Sequence, residues 1–322
     1  MKLVCRLLIS LTLFIMYPLS PAFSFNGPMQ VKNQYPIFLH ADEPYLEEAA
    51  ISNSMSYSLS HSSTYTVEES GDWVINLDME ITELNFRYKR IIKDTVELGL
   101  DIPVLIFDGG FIDGFLEDYH EAFDFPDYGR SNRPHNEFLY EVRHNGKQVV
   151  QGKSGTGIGD IRLSAKKPLI SSDGLNLSLA GNIEVPVSSS KKGYSNGSLD
   201  AGVSVLLDKS ITDAVMTYWN FGAVFPGDVR GHEKVDLKNY LYGGVAIEAE
   251  LGEELSAIVQ VLGQSDIYPE TGVSAVDRDS YMIVIGGRYN TKGGSFELSL
   301  AEDLSVSGAP DFIINLTFKV AI

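Results

Sequence analysis

Hydrophobic and polar residues alternate one by one over most of this chain, with interruptions at intervals of about ten residues. The last twelve residues, 311–322, show the pattern most plainly. Phe312, Ile314, Leu316, Phe318, Val320 and Ile322 form one apolar set, while Asp311, Asn315, Thr317 and Lys319 fall in the other. A period of two predicts a strand with one apolar and one wet face. The same alternation predicts eleven further strands, at 51–61, 73–89, 94–104, 157–168, 175–187, 198–207, 214–225, 240–251, 255–264, 280–289 and 295–301. In 73–89 the apolar parity changes, from Trp73, Ile75, Leu77, Met79 and Ile81 to Leu84, Phe86 and Tyr88. That change predicts a β-bulge at Thr82-Glu83.

The connections sort by length. Short turns are expected near Ile92, Ser172, Ser210, Glu253 and Lys292, and longer polar connections after the odd-numbered strands. Alternating short and long connections, an even strand count and aromatics near the strand ends predict an all-β fold. The specific expectation is a transmembrane antiparallel up-and-down barrel of about twelve strands. A β-sandwich has no reason to sort its loops this way. No stretch after the N-terminus is long and apolar enough for a membrane helix, so a membrane location requires a closed barrel.

Residues 1–24 read as a secretory signal peptide. Lys2 and Arg6 precede an apolar run to Leu19, and Ala22-Phe23-Ser24 fits a cleavage site. Cys5, the sole cysteine, falls in that segment, so the mature chain has no thiol, disulfide or cysteine metal site. Residues 25–48 have no period. They read either as a disordered periplasmic leader or as a plug inside the barrel formed by 49–322. The net charge of −18 argues against nucleic acid as a partner.

The connection at 105–155 is too long for a plain loop. Phe111, Ile112, Phe115, Leu116, Tyr119 and Phe123 recur at helical spacing, with Asp113, Glu117, Asp118, Glu121 and Asp124 on other faces. Beyond them, 140–150 reads as a hairpin about an Asn145-Gly146 turn. Together these predict an extracellular cap of helix and hairpin over the barrel mouth. Phe111, Phe115, Tyr119, Phe123, Asp113, Glu117 and Asp118 are its candidate gating or ligand residues. The cap acids Asp108, Asp113, Glu117, Asp118, Glu121, Asp124 and Asp127 also raise calcium as a question. Their order does not match an EF-hand, a solvated acidic face fits them better, and no metal site or cofactor is expected.

Strand parity assigns a set of charges to the lumen, among them Asp78, Glu80, Arg87, Glu97, Asp160, Arg162, Glu184, Glu248 and Arg288. Acids predominate. An open lumen of this kind favours cations or neutral polar solutes, while internal ion pairing would simply fill the barrel. The run Gly155-Thr156-Gly157-Ile158-Gly159 precedes a strand, so it fails the context of a dinucleotide loop.

Three stretches carry a family resemblance: GPMQVKNQYPIFL, GGFIDGFLEDYHEAFDFPDYGRSNRPHNEFLY and SGTGIGDIRLSAKKPL. With them the chain resembles a bacterial outer-membrane family known as domain of unknown function 3187. The resemblance implies an outer-membrane barrel and no activity. Passage of a small solute is the leading expectation. A lipid-acting outer-membrane enzyme, with His120 or His135 as base, and a closed structural or adhesive barrel are the alternatives. Outer-membrane lipid, lipopolysaccharide and the assembly machinery are the expected partners.

Overall fold

A computed structural model describes residues 25–36, 41–42, 44–123, 129–304 and 307–322; the side chains of 120 and 123 lie outside that description, as does the signal-peptide segment. Seventeen strands are present among the described residues: β1 (Ser54–Ser70), β2 (Trp73–Ile92), β3 (Val96–Asp108), β4 (Leu139–His144), β5 (Lys147–Gln151), β6 (Gly155–Ile158), β7 (Ile161–Ser172), β8 (Leu175–Val185), β9 (Asp200–Thr212), β10 (Val215–Phe225), β11 (Val229–Arg230), β12 (Lys234–Val235), β13 (Tyr240–Glu250), β14 (Leu255–Gln264), β15 (Ser280–Thr291), β16 (Gly294–Asp303) and β17 (Phe312–Ala321). One helix, α1 (Asp113–Phe123), lies between β3 and β4.

Twelve of these strands close a ring. Antiparallel pairs run from β1 through β2, β3, β7, β8, β9, β10, β13, β14, β15 and β16 to β17, which pairs back onto β1 from Ser54↔Ala321 to Ser63↔Phe312. Closure gives every wall strand a neighbour on both edges, which the terminal strand needs. Tight turns join β2 to β3, β7 to β8, β9 to β10, β13 to β14 and β15 to β16, and these lie at one end of the barrel. The long connections gather at the other end.

Two expectations change. The first strand does not stop near residue 61. It runs to Ser70 and turns through Gly71-Asp72 into β2, so this connection is tight and the β1–β2 hairpin stands above its neighbours. The polar residues of Thr64 to Ser70 read as loop, but they pair with the strongly apolar start of β2. Nor is there a bulge at Thr82-Glu83, since the register of β2 with both β1 and β3 is continuous there. Odd positions of β2 face inward throughout. Glu83, Asn85, Arg87 and Lys89 meet the polar lower lumen, while Trp73 to Ile81 meet an apolar cluster above it. It is the environment that changes along the strand, and the apolar parity follows it. Register shifts occur instead at Pro168/Ile170, at Val215/Met216 and in the β4–β5 hairpin. Pro168 has no N–H to give to the ladder, which accounts for the first.

The outer face of the wall carries exposed Tyr57, Leu59, Leu84, Leu98, Leu163, Phe221, Ile247, Ile285, Leu298 and Leu316. This apolar belt is what a bilayer solvates. The residues buried inside are mainly polar in one half of the wall, formed by β1, β2, β3, β7 and β8. In β13 to β17 they include Ala246, Ile258, Leu262, Met282, Val284 and Ile313.

Candidate functional site: a lumen filled by the N-terminal segment

The described residues of 25–53 form no strand and lie inside the barrel. The segment enters at the tight-turn end. Asn26 bonds to Asn290, and the Lys319 ammonium donates to the Asn26 carbonyl at 2.9 Å. It then climbs. Gln260 and Met29 exchange hydrogen bonds, the Gln30 side chain accepts from Ser56, and the Tyr35 hydroxyl meets Thr66 at 2.7 Å. Near the long-connection end, the Tyr140 hydroxyl donates to the Pro36 carbonyl and the Tyr240 hydroxyl to the Ala41 carbonyl. The chain then descends to β1. Asn220 clasps the Glu47 backbone from both sides, accepting from its N–H at 2.8 Å and donating to its carbonyl at 2.9 Å. Asp208 accepts from the N–H groups of Ala49 and Ala50, and Glu97 from that of Ser52.

These anchors are wall side chains, because the wall backbone is already used in the sheet. The segment's own charges are matched in the same way. Lys32 faces Glu83 at 3.2 Å, Asp42 faces Arg162 at 3.3 Å, and Glu47 accepts from Lys89 at 2.8 Å. Its apolar residues Met29, Val31 and Leu46 pack on the apolar half of the wall. Glycines make room there: a Cβ on Gly244 would stand 2.6 Å from Leu46, and one on Gly286 2.6 Å from Met29. Gly27 has a left-handed φ of 87° and passes close to Glu48, a conformation that glycine adopts without strain.

Of the charges assigned to the lumen, Arg87, Glu97, Asp160, Arg162, Glu184, Glu248 and Arg288 are all buried. Arg87, Glu97, Arg162, Glu184, Glu248 and Arg288 occupy inward positions in the registers of their strands. Arg288 is 0% exposed; it bonds Glu248, reaches Glu297 at 2.9 Å and donates to the Gly27 carbonyl at 2.5 Å. Asp78 and Glu80 do not belong to this set. Without the bulge they point outward, paired with Tyr65 and Ser63 of β1. There they hold the connection that carries α1. Glu80 accepts from the N–H groups of Phe111 and Ile112 at 2.9 and 2.8 Å, satisfying open donors at the start of the helix, and it also bonds His61. Gly110 is left-handed at φ 74°, and a Cβ there would overlap the Glu80 carboxylate. Asp78 pairs with Arg133 at 2.8 Å.

The cap helix is therefore not over the mouth. It rests on the outer wall at the long-connection end, with Phe111 stacked on His61 and with Phe115 and Tyr119 against Phe312. Phe111 and Phe115 remain 76% and 55% exposed, above the lipid-facing stripe of β17. Asp113 is spent on Arg130 and the Asn136 N–H, and Glu117 on His135. Burial by itself would lower the pKa of the Arg130 guanidinium; Asp311 and Asp113 outweigh it and hold it above its ordinary value. Asp118 lies on the same helix, while the side chains of Phe123 and His120 fall outside the described residues. No group of three or more metal-ligating side chains occurs among the described residues.

A different set roofs the lumen. Trp73, Ile75, Leu77 and Ile81 of β2 pack with Phe107, Tyr140, Val142, Tyr194, Val229, Val235, Ile267, Tyr268 and Val276. Phe107 belongs to β3; the others come from the β4–β5 and β11–β12 hairpins and from the loops 186–199 and 265–279. Tyr35 and Ala41 of the lumen segment enter the same cluster. The tight-turn end is open by contrast. A cavity of about 450 Å³ there is lined by residues that include Asn26, Glu48, Ser52, Asn290, Lys292 and Lys319.

A closed, twelve-stranded antiparallel barrel with an apolar outer belt is the architecture of outer-membrane β-barrel proteins, and its structural neighbours are outer-membrane barrels. An outer-membrane channel from Pseudomonas putida F1 superposes with a TM-score of 0.56 at 12% identity, over 85% of this chain and 96% of that one. The NanC porin gives 0.48 at 7% identity, over 83% and 98%. At such identities the likeness concerns the fold alone. No curated protein sequence matches the chain. The chain belongs to the family described as protein of unknown function DUF3187, whose model matches residues 6–321.

Proposed function

We propose that this protein is an outer-membrane channel for a small solute, held shut by its own N-terminal segment. One observation carries the reading. The segment fills the lumen without joining the sheet, held by side-chain hydrogen bonds, ion pairs and one apolar flank. Such a segment can leave without breaking any wall ladder, and the half-wall it uncovers is charged and readily hydrated. In this reading the tight turns face the periplasm, and the open cavity at that end gives the plug a way out. The exposed outer belt meets membrane lipid and lipopolysaccharide, and the closing strand is presented to the assembly machinery. No reaction is assigned to the protein.

The apolar roof favours a second reading, a permanently closed structural barrel. Planar-bilayer recording separates the two. The wild type is expected to be mostly shut, with brief openings. Asn220→Ala, which removes both clasps on the Glu47 backbone, is expected to open several-fold more often while remaining a folded, heat-modifiable barrel. If neither protein passes any ion, the barrel is closed and the channel reading fails.

A further inference from the structure

The closing segment presents two adjacent carboxylates, Glu47 and Glu48, to a cluster of cations on the inner wall. Lys89 lies 2.8 Å from Glu47 and Arg87 3.5 Å from it; Lys319 lies 3.3 Å from Glu48. Lys166 donates to the Glu48 carbonyl at 3.0 Å and pairs with Glu97 at 3.0 Å. All of these groups are largely buried, so each has been taken out of water for the contact it makes. Around Glu47 and Glu48 the ion pairs balance locally. Arg87, Lys89, Lys166 and Lys319 face Glu97 and Asp101, which leaves a net charge of +2 among these wall groups. The segment brings Glu47 and Glu48 to them, a net charge of −2. The seat is neutral only while the segment is in it. Withdrawal strands two uncompensated buried cations, which is costly unless an anion or water replaces the carboxylates.

Resting on the channel reading above, we infer that the solute this channel admits is a small dicarboxylate, for which Glu47 and Glu48 are the resident surrogate. A dianion of that size restores the charge balance and offers the paired acceptors that Lys89, Arg87 and Lys319 already hold. The cavity at the tight-turn end reaches Glu48 and Lys319, so competition can begin there without prior opening. This reverses the preference suggested by the excess of acids in the lumen as a whole. The remaining acids are engaged elsewhere: Glu184, across from Arg162, and Asp208 hold segment N–H groups, and Glu248 and Glu297 hold Arg288.

The test uses the full mature chain in planar bilayers, with sodium succinate as the probe and putrescine dihydrochloride at equal ionic strength as the control. Succinate is expected to raise the open probability of the wild type, and putrescine to leave it unchanged. In Lys89→Gln the succinate concentration needed is expected to rise about tenfold, as loss of one charge-assisted hydrogen bond implies. Under a potassium chloride gradient, the loosened Asn220→Ala channel is expected to prefer anions. Opening by putrescine, equal action of succinate on Lys89→Gln, or cation preference in a conducting Asn220→Ala would overturn the dicarboxylate inference alone. An Asn220→Ala protein that passes no ion at all would remove the channel reading, and this inference with it.

Discussion

Arg288 is among the largest fully buried side chains of the described residues, and replacing it tests whether the lumen is as dry as its packing implies. Its guanidinium is shared between Glu248, Glu297 and the Gly27 carbonyl. In Arg288→Met the two carboxylates, at 0% and 1% exposure, lose their common partner. Glu248 keeps the Tyr218 hydroxyl at 2.7 Å. Breaking a buried pair by removing one member costs about 3–5 kcal/mol, whereas a solvated pair is worth about 0–1 kcal/mol. The expected loss is therefore about 3–5 kcal/mol. The entry of the N-terminal segment should loosen as well, because the Gly27 carbonyl loses its donor. Urea unfolding in lipid vesicles, followed by fluorescence of Trp73 and Trp219, measures the first effect. The combined variant Arg288→Met, Glu248→Gln, Glu297→Leu removes the stranded charges and is expected to recover most of the loss. A single variant within about 1 kcal/mol of wild type would refute the reasoning, since it would mean that water reaches the pair.

Three further outcomes are expected. Leu316→Arg, in the middle of the outward stripe of β17, should cost about 2–4 kcal/mol by the same unfolding assay, while Val67→Arg on the raised part of β1 should cost little; equal costs would put the bilayer at the wrong height. Phe115→Ser with Tyr119→Ser should leave conductance unchanged, because α1 lies outside the wall; a clear rise in single-channel current would return the helix to the solute path. Epitope tags inserted after Asp173 or Glu253 should be hidden in intact cells and one after Lys191 reachable by antibody; the reverse pattern would invert the orientation proposed for the barrel.

Apart from the upper half of the first strand and the tight turn after it, the strand positions and the sorting of short and long connections are legible in the sequence, as are the helix and the hairpin between β3 and β6. Each depends on local periodicity and turn chemistry, which neighbouring residues carry by themselves. The inward parity of Arg87, Glu97, Arg162, Glu184, Glu248 and Arg288 was legible for the same reason. Tertiary structure alone decided the rest. Odd residues of β2 are inward along the whole strand, yet their chemistry changes from Glu83 to Ile81 because a roof built from distant loops covers the upper lumen. Periodicity cannot distinguish such a change of surroundings from a bulge, and that is why strand parity places Asp78 and Glu80 on the wrong face. The amphipathic pattern of α1 shows that one side must be covered, but not by what; Glu80, His61 and Phe312 are far away in sequence and fix the helix on the outer wall. The described residues of 25–53 have no period because they join no sheet. Their place in the lumen is set residue by residue, by Asn220, Asp208, Lys89 and Arg288 and by the space above Gly244 and Gly286, partners that come together only when the barrel closes.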